Sequence, residues 1–444
     1  MSNLQTKPKW QMSDGERVQD FQRKIYQKAK HVRDFRFYVL YDKVRLPHFL
    51  REAYKQCKAN KGSAGVDGIT FDDIEQSGVD EFLKEIIGEL ENFTYKPQAV
   101  LRANILKENG KTRPLGIPTI KDRVIQMAVK LVIEPIFEAD FEDSSYGFRP
   151  RRSAHDAVRK IKGKLREGKT EVFDADLSAY FDTIPHKELM FLIAQRISDQ
   201  NILHLIKMWL KVSVFDKNKY TGGKKNKVGT PQGGVISPLL ANIYLHLLDK
   251  AVNKSNGIFC RYGIEIVRYA DDFVLMGRNI PPKVLEYLEI LLSRMKLKLN
   301  REKSSLLNAR QKSFDFLGFT FRYSKDIFGR NSKYWNIEPS GKSQKKVRAG
   351  IRDYLRYNGH EAPEIIAEEI NFITRGWINY FSIDKVSYPA KGKRNLRYYL
   401  SMKLRRFYKR KSQRKSKLYA KGAMDYLIKH HGMIDPSKYS SGMA

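Results

Sequence analysis

The residues best suited to chemistry are aspartates set into otherwise apolar segments. In Glu171 to Ile184, EVFDADLSAYFDTI, the residues Val172, Asp174, Asp176 and Ser178 alternate with Phe173, Ala175, Leu177 and Ala179. That alternation predicts a strand with Asp174 and Asp176 on one face. A carboxylate on a buried strand is costly unless a cation or a hydrogen-bond donor meets it. In Ile264 to Gly277, IEIVRYADDFVLMG, two apolar arms flank a polar Ala-Asp-Asp corner. This predicts a β-hairpin presenting Asp271 and Asp272 at its tip. Three aspartates from two such elements suit a pair of hard, oxygen-preferring cations such as Mg²⁺. Two metals about 4 Å apart can activate an attacking hydroxyl and stabilise a leaving oxygen in an in-line displacement at phosphorus. Two surface turns that happen to hold Asp would explain either segment alone. They leave the pair of segments, in so basic a chain, unexplained.

Other elements must position these carboxylates. Val100 to Leu106, VLRANIL, followed by Glu108-Asn109-Gly110-Lys111, predicts a strand entering a hairpin turn. Phe82, Ile86, Leu90 and Phe93 recur at helical spacing over Asp80 to Phe93. Asp122 to Phe137 reads as a helix with Val124, Ala128, Leu131 and Pro135 on one face. Ile365, Ile366, Ile370, Ile373 and Trp377 read as the core stripe of a helix bundle. The glycine-punctuated Lys58 to Gly68, KANKGSAGVDG, reads as a loop. It lacks the GxxxxGK[ST] order of a nucleotide-binding P-loop. Residues 1 to about 35 read as a polar, helix-prone arm.

Charge points to the partner. The chain has 444 residues, with 83 Lys or Arg against 49 Asp or Glu, a formal net charge of +34. Such a chain attracts polyanions through counterion release. Between Lys385 and Met424 stand fifteen Lys or Arg and no acid, interleaved with Tyr388, Tyr398, Tyr399, Phe407, Tyr408 and Tyr419. Cations for phosphates and rings for stacking make a nucleic-acid-binding composition. Hydrophobic residues, at 41%, exclude global disorder. The only cysteines, Cys57 and Cys260, cannot build a disulfide framework or a tetrathiolate zinc site. No uninterrupted apolar stretch is long enough to span a bilayer, and the first residues, MSNLQTKPKW, lack a signal-peptide core. These features predict a cytoplasmic protein.

Seven ordered blocks carry a family resemblance. Tyr269-Ala270-Asp271-Asp272 resembles the signature of a reverse transcriptase palm, and Asp176 with Tyr180-Phe181-Asp182 resembles its first catalytic block. GTPQGGVISPLLAN (Gly229 to Asn242) resembles the substrate-binding block between them. RPLGIP (Arg113 to Pro118) and YGFRP (Tyr146 to Pro150) resemble the fingers of bacterial group II intron reverse transcriptases. Phe316-Leu317-Gly318-Phe319 resembles the block closing the palm, and GWINYF (Gly376 to Phe381) the thumb, or maturase domain.

The resemblance implies an α/β (α+β) right-hand polymerase fold with fingers, palm and helical thumb. It implies RNA-directed DNA synthesis from an RNA template, a DNA primer and deoxynucleoside triphosphates. It also implies help with splicing and mobility of group II intron RNA, in a bacterial ribonucleoprotein. Carried over block by block, Asp176, Asp271 and Asp272 would hold two Mg²⁺ ions, with Mn²⁺ able to substitute. Lys107 and Arg113 would meet the incoming triphosphate. Phe181, with Tyr180 as alternative, would lie under the sugar and disfavour a 2′-hydroxyl. Gln232 would shape the nucleotide pocket, and Lys303 would lie near the departing pyrophosphate. Arg375, Lys393, Arg405, Arg406, Lys409 and Arg410 are the candidates for phosphate contact.

The expected division is a basic arm (1–57), fingers (58–168), palm (169–330), thumb (335–384) and a basic extension (385–444). Leu106 stands before Lys107 where many relatives have Pro, and Arg301 where an acid is common. With no cysteine after Cys260, the HNH endonuclease that ends many relatives is not expected. Two further roles compete: recruitment to defence, repair or spacer acquisition, and a splicing-only RNA-binding maturase. The intact aspartates and GTPQGG block oppose the second. Protein partners are not legible.

Overall fold

The computed structural model describes residues 11–106, 112–217, 219–223, 226–325, 332–410, 418 and 421–440. Helices and strands mix along the chain, as the sequence predicts. It opens with α1 (Asp14–His31), α2 (Tyr41–Val44), α3 (Pro47–Ala59), α4 (Phe71–Ser77) and α5 (Val79–Glu91). The strands β1 (Val100–Leu106) and β2 (Thr112–Ile117) precede α6 (Ile120–Glu138), α7 (Ala154–Arg166) and β3 (Glu171–Ala175). Next come α8 (Tyr180–Thr183), α9 (His186–Ala194), α10 (Gln200–Leu210), β4 (Ser213–Asp216) and β5 (Lys219–Gly222). α11 (Ser237–Asn253) and α12 (Ile258–Arg261) lead to β6 (Glu265–Tyr269), β7 (Asp272–Gly277) and α13 (Pro282–Arg294). After β8 (Ser305–Asn308), β9 (Phe314–Phe316), β10 (Phe319–Lys325) and β11 (Lys333–Pro339) come α14 (Gly341–Tyr357), α15 (Pro363–Phe381), α16 (Ala390–Arg410) and a helix over Ala423–His430.

The chain divides into two compact units. The first comprises Met1–Ser153, Ala175–Leu275 and Ile280–Ser305, the second Ala154–Asp174, Met276–Asn279 and Leu306–Ala444. This division is coarser than the fingers, palm and thumb borders read from the sequence.

In the first unit, α6 is the central element. It is buried on every side, not on the one face the sequence suggested, because α1, α2 and α3 all pack against it. Residues 14–57 are therefore part of the core rather than an arm: Phe49, Leu50, Ala53 and Cys57 of α3 are buried. α1 starts in a reciprocal capping box between Ser13 and Glu16, and Gln22 donates to the Leu131 carbonyl at 2.9 Å. The Lys58–Gly68 loop is tied to the start of α6 by Arg123, which donates to the carbonyls of Ser63 and Pro118. The hairpin foreseen at Val100 forms, with Ile105 opposite Arg113, and β1 continues through a parallel pairing with β4 into the sheet β2-β1-β4-β5. Phe93 departs from its expected helical face. It lies beyond α5 with φ +56°, is 65% exposed, and stacks on Tyr41.

The second unit has a helical core. Val347, Ile351 and Leu355 of α14, Ile366 and Ile370 of α15, and Leu396, Leu400, Leu404 and Tyr408 of α16 close on Met424 and Leu427. Ile373 and Trp377 flank this cluster as expected, whereas Ile365 faces solvent. The Phe316–Phe319 block packs within this unit. Phe319 meets Phe381 edge-on at 4.8 Å, and the Tyr380 hydroxyl donates to the Leu317 carbonyl. No helix among the described residues is long and apolar enough to cross a membrane.

Candidate active site

The Tyr269-Ala270-Asp271-Asp272 segment forms the tip of the β6–β7 hairpin in the first unit, as the sequence predicts. Only Ala270 and Asp271 lie between the strands. So short a loop demands positive φ, and Ala270 adopts +57° without being glycine. Phe273, Val274 and Leu275 of β7 are fully buried, so the strand is anchored by its apolar residues.

A buried polar cluster lies directly under the tip. Arg268 is wholly buried, and so is Asp249 of α11. Their ion pair is bidentate: Nε to Oδ1 at 2.8 Å and Nη2 to Oδ2 at 2.5 Å. The remaining donors reach Asn242 Oδ1 (2.9 Å), the Ala270 carbonyl (2.8 Å) and Ser145 Oγ (2.7 Å). Asn242 in turn donates to the Gly147 carbonyl at 2.8 Å. The Tyr146–Pro150 block, expected in the fingers, thus props the hairpin from below. Tyr146 N–H donates to the Arg268 carbonyl, and Arg268 N–H to that of Ser144. Gly147 is required there. A Cβ on it would stand 2.9 Å from the Tyr269 carbonyl carbon and closer still to the Ala270 nitrogen. Arg149 is structural too, forming a paired contact with Glu138.

The third aspartate sits differently. β3 ends at Ala175, four residues short of the predicted alternation, and Ala179 turns left-handed (φ +47°) to start α8. Asp174 belongs to the second unit, and Asp176 follows the strand in the first. In the sheet order β6-β7-β3-β8, β3 neighbours β7, the strand that Asp272 begins. Asp176 N–H donates to Ser304 Oγ at 3.2 Å, and its Oδ2 accepts from Asn300 Nδ2 at 3.0 Å and Lys303 Nζ at 2.9 Å. Lys303 is thus paired with a carboxylate rather than solvated. Its side chain is 66% exposed against 26% for Asp176.

Carboxylate oxygens are of the type a hard cation prefers, and Asp176 Oδ2 meets the Lys303 ammonium. Among the described residues, no three His, Cys, Asp or Glu side chains form a closed metal cage. Asp176, Asp271 and Asp272 therefore do not form such a group in this structure.

Around this corner stand the other expected residues. Tyr180 and Phe181 are both buried, and the Tyr180 hydroxyl donates to the Ala241 carbonyl at 2.6 Å. Gln232 donates to the Asp182 carboxylate at 3.3 Å, and its own carbonyl accepts from Gly116 N–H at 2.6 Å. Gly233, at φ +118°, lies so near β2 that a Cβ would collide with the Gly116 carbonyl. Here glycine admits the protein's own backbone. A cavity of about 250 Å³ is lined by Arg102, Gly116, Asp182, Thr230 and Gln232 among others. Lys107 lies outside the described residues; Arg113 is on β2, and its side chain lies outside the description.

Similarity to known proteins decides the family. Residues 105–321 match the model of "Reverse transcriptase (RNA-dependent DNA polymerase)", and residues 344–426 that of "Group II intron, maturase-specific domain". Protein YkfC of Escherichia coli is 33% identical over 348 residues, 70% of this chain and 90% of YkfC. The group II intron-encoded protein LtrA of Lactococcus lactis is 32% identical over 377 residues, 71% of this chain and 60% of LtrA. A 91 kDa protein in the cob intron of Schizosaccharomyces pombe is 29% identical over 74% of this chain and 49% of its own length. The chain belongs to the group II intron-encoded reverse transcriptases. It carries an RNA-directed DNA polymerase domain and a maturase domain.

The maturase domain presents most of the expected basic residues. Arg405, Arg406, Lys409 and Arg410 lie exposed on α16, opposite the Leu396, Leu400, Leu404 and Tyr408 stripe, and Arg375 is exposed on α15. Lys393 is the exception: it donates to the Tyr439 carbonyl at 2.9 Å, and burial lowers its pKa. Sequence reasoning missed Arg268, Asp249, Asn242, Asn300 and Ser304. A signal existed for the first, since Arg in the apolar run IEIVRY demands a buried partner.

Proposed function

We propose that Asp176, Asp271 and Asp272 hold two divalent cations, Mg²⁺ with Mn²⁺ able to substitute, and extend a DNA primer on an intron RNA template. The observation that carries this reading is the hairpin tip, with Asp271 in the turn and Asp272 opening β7, the strand beside β3, which Asp176 follows. When bound, the metals supply charge neutralisation and activation of the primer hydroxyl at phosphorus. The chain's own residues then orient and select. Phe181 lies against the deoxyribose and excludes a 2′-hydroxyl by bulk. Gln232, held by Asp182 and by Gly116, fixes the pocket floor. Arg113 of β2, together with Lys107, neutralises the triphosphate. Lys303 exchanges Asp176 for the departing pyrophosphate.

In this reading 58–168 act as fingers, 169–330 as palm and 335–384 as thumb. Arg375 and the exposed α16 cations contact template–primer and intron RNA, which extends the role to splicing and mobility. The test is primer extension on an RNA template with deoxynucleotides and Mg²⁺, comparing the parent with Asp271→Asn. Extension by the parent and a loss of at least about 1,000-fold in the variant is expected, with RNA affinity retained. Equal extension by both would dismiss these aspartates as the site.

A further inference from the structure

We propose that Arg268 is a positioning residue: it fixes the backbone of the Ala270-Asp271 turn and thereby the direction of the two hairpin carboxylates. This rests on the polymerase reading above. A left-handed alanine is strained and persists only where its surroundings over-determine it. Three restraints converge on Ala270. Its carbonyl accepts from Arg268 Nη1 at 2.8 Å. Gly147 backs its nitrogen with no room for a side chain. Tyr146 N–H and the Ser144 carbonyl pin the Arg268 backbone two residues earlier.

Arg268 unites these restraints. Each of its five guanidinium N–H groups has an acceptor, and they come from three places: α11 (Asp249, Asn242), the Ser145 hydroxyl and the turn itself. Both members of the Arg268–Asp249 pair are 0% exposed. A buried ion pair contributes little net stability compared with apolar packing, so stability alone gives poor reason to build one here. What it does supply is a planar, two-sided fork that holds the Ala270 carbonyl at a set angle from Asp249. A lysine cannot reach both, since it offers a point charge without the fork.

The test uses the full chain with two substitutions. Arg268→Lys keeps the charge beside Asp249 but forfeits the turn carbonyl. Asn242→Ala removes the link from Arg268 to the Gly147 carbonyl without stranding a charge, and decides the matter if the first variant does not fold. Three quantities are measured: the single-turnover rate per active enzyme, template–primer affinity, and Mn²⁺ affinity of the nucleic-acid-free protein by electron paramagnetic resonance. We expect a rate roughly 10- to 100-fold lower, Mn²⁺ binding several-fold weaker and template–primer affinity unchanged. A purely structural Arg268 would lower the melting temperature and the active fraction yet leave rate per active enzyme and Mn²⁺ affinity at parental values; that result overturns the proposal. Failure of the polymerase reading shows separately, as a parent protein that extends no primer.

Discussion

The hairpin tip and the Asp176 corner bring carboxylates to one sheet by opposite means. Under the tip, every contact is buried and irreplaceable: Arg268, Asp249, Asn242 and Ser145 are each no more than 1% exposed. At the corner the contacts are a surface lysine, an asparagine amide and a serine hydroxyl. An exposed ion pair of that kind is worth about 0–1 kcal/mol and breaks readily. The difference teaches which half is preset and which adapts. The tip is fixed before substrate arrives, as electrostatic preorganisation requires. The corner can trade its lysine for another cation.

The sharpest way to break the comparison is to disturb the rigid side without touching a charge. Gly147→Ala places a methyl against the Tyr269 and Ala270 backbone, where no flexible side chain can yield. The tip must shift by a fraction of an ångström or more. Extension should fall on the order of 100-fold, with template–primer affinity retained. Single-turnover rates beside a binding titration check this. A variant of parental rate would mean that the tip is as adaptable as the corner.

The exchangeable side should respond less, and in two directions. Lys303→Met removes the ammonium that competes for Asp176 Oδ2. Mn²⁺ affinity in the absence of nucleotide should rise or hold. The extension rate should fall about tenfold, because the same lysine no longer meets the leaving pyrophosphate. Metal titration and single-turnover kinetics read the two effects separately. Weaker metal binding in this variant would make Lys303 a fixed prop, and the two regions would then be alike.

The same contrast explains what the sequence could and could not reveal. The tip was legible because it is local: two apolar arms around a polar corner define a hairpin without reference to the rest of the chain. Its support was not. Ser145 lies 123 residues from Arg268, and Asn300 lies 124 from Asp176, so no spacing rule connects them. Periodicity also reports how many faces of a helix are apolar only when one face stays wet. α6 is enclosed by α1, α2 and α3, and its pattern on one face understated its burial. Ile365 errs the other way, since an apolar residue at helical spacing can still end outside the bundle. Lys393 looked like its basic neighbours, and only the return of the chain at Tyr439 gives it an internal acceptor.

The mildest test probes the adaptable corner one bond at a time. Asn300 Nδ2 donates to Asp176 Oδ2 at 3.0 Å, and Asn300 N–H donates to the Asp176 carbonyl at 2.8 Å. Asn300→Ala removes the first bond and keeps the second, so the local backbone is retained. A single side-chain hydrogen bond of this type is worth about 1 kcal/mol net, which corresponds to about a fivefold rate effect if all of it serves the transition state. If Asp176 is steered mainly by the cation it meets, less than that is used, and the rate should fall only about twofold. Saturating Mg²⁺ should restore most of the loss, because the metal then does the aligning. No such rescue is expected for Gly147→Ala, where the displaced group is backbone and added metal cannot push it back. Rescue of both variants, or of neither, would erase the distinction between a preset tip and a corner completed by its ligand.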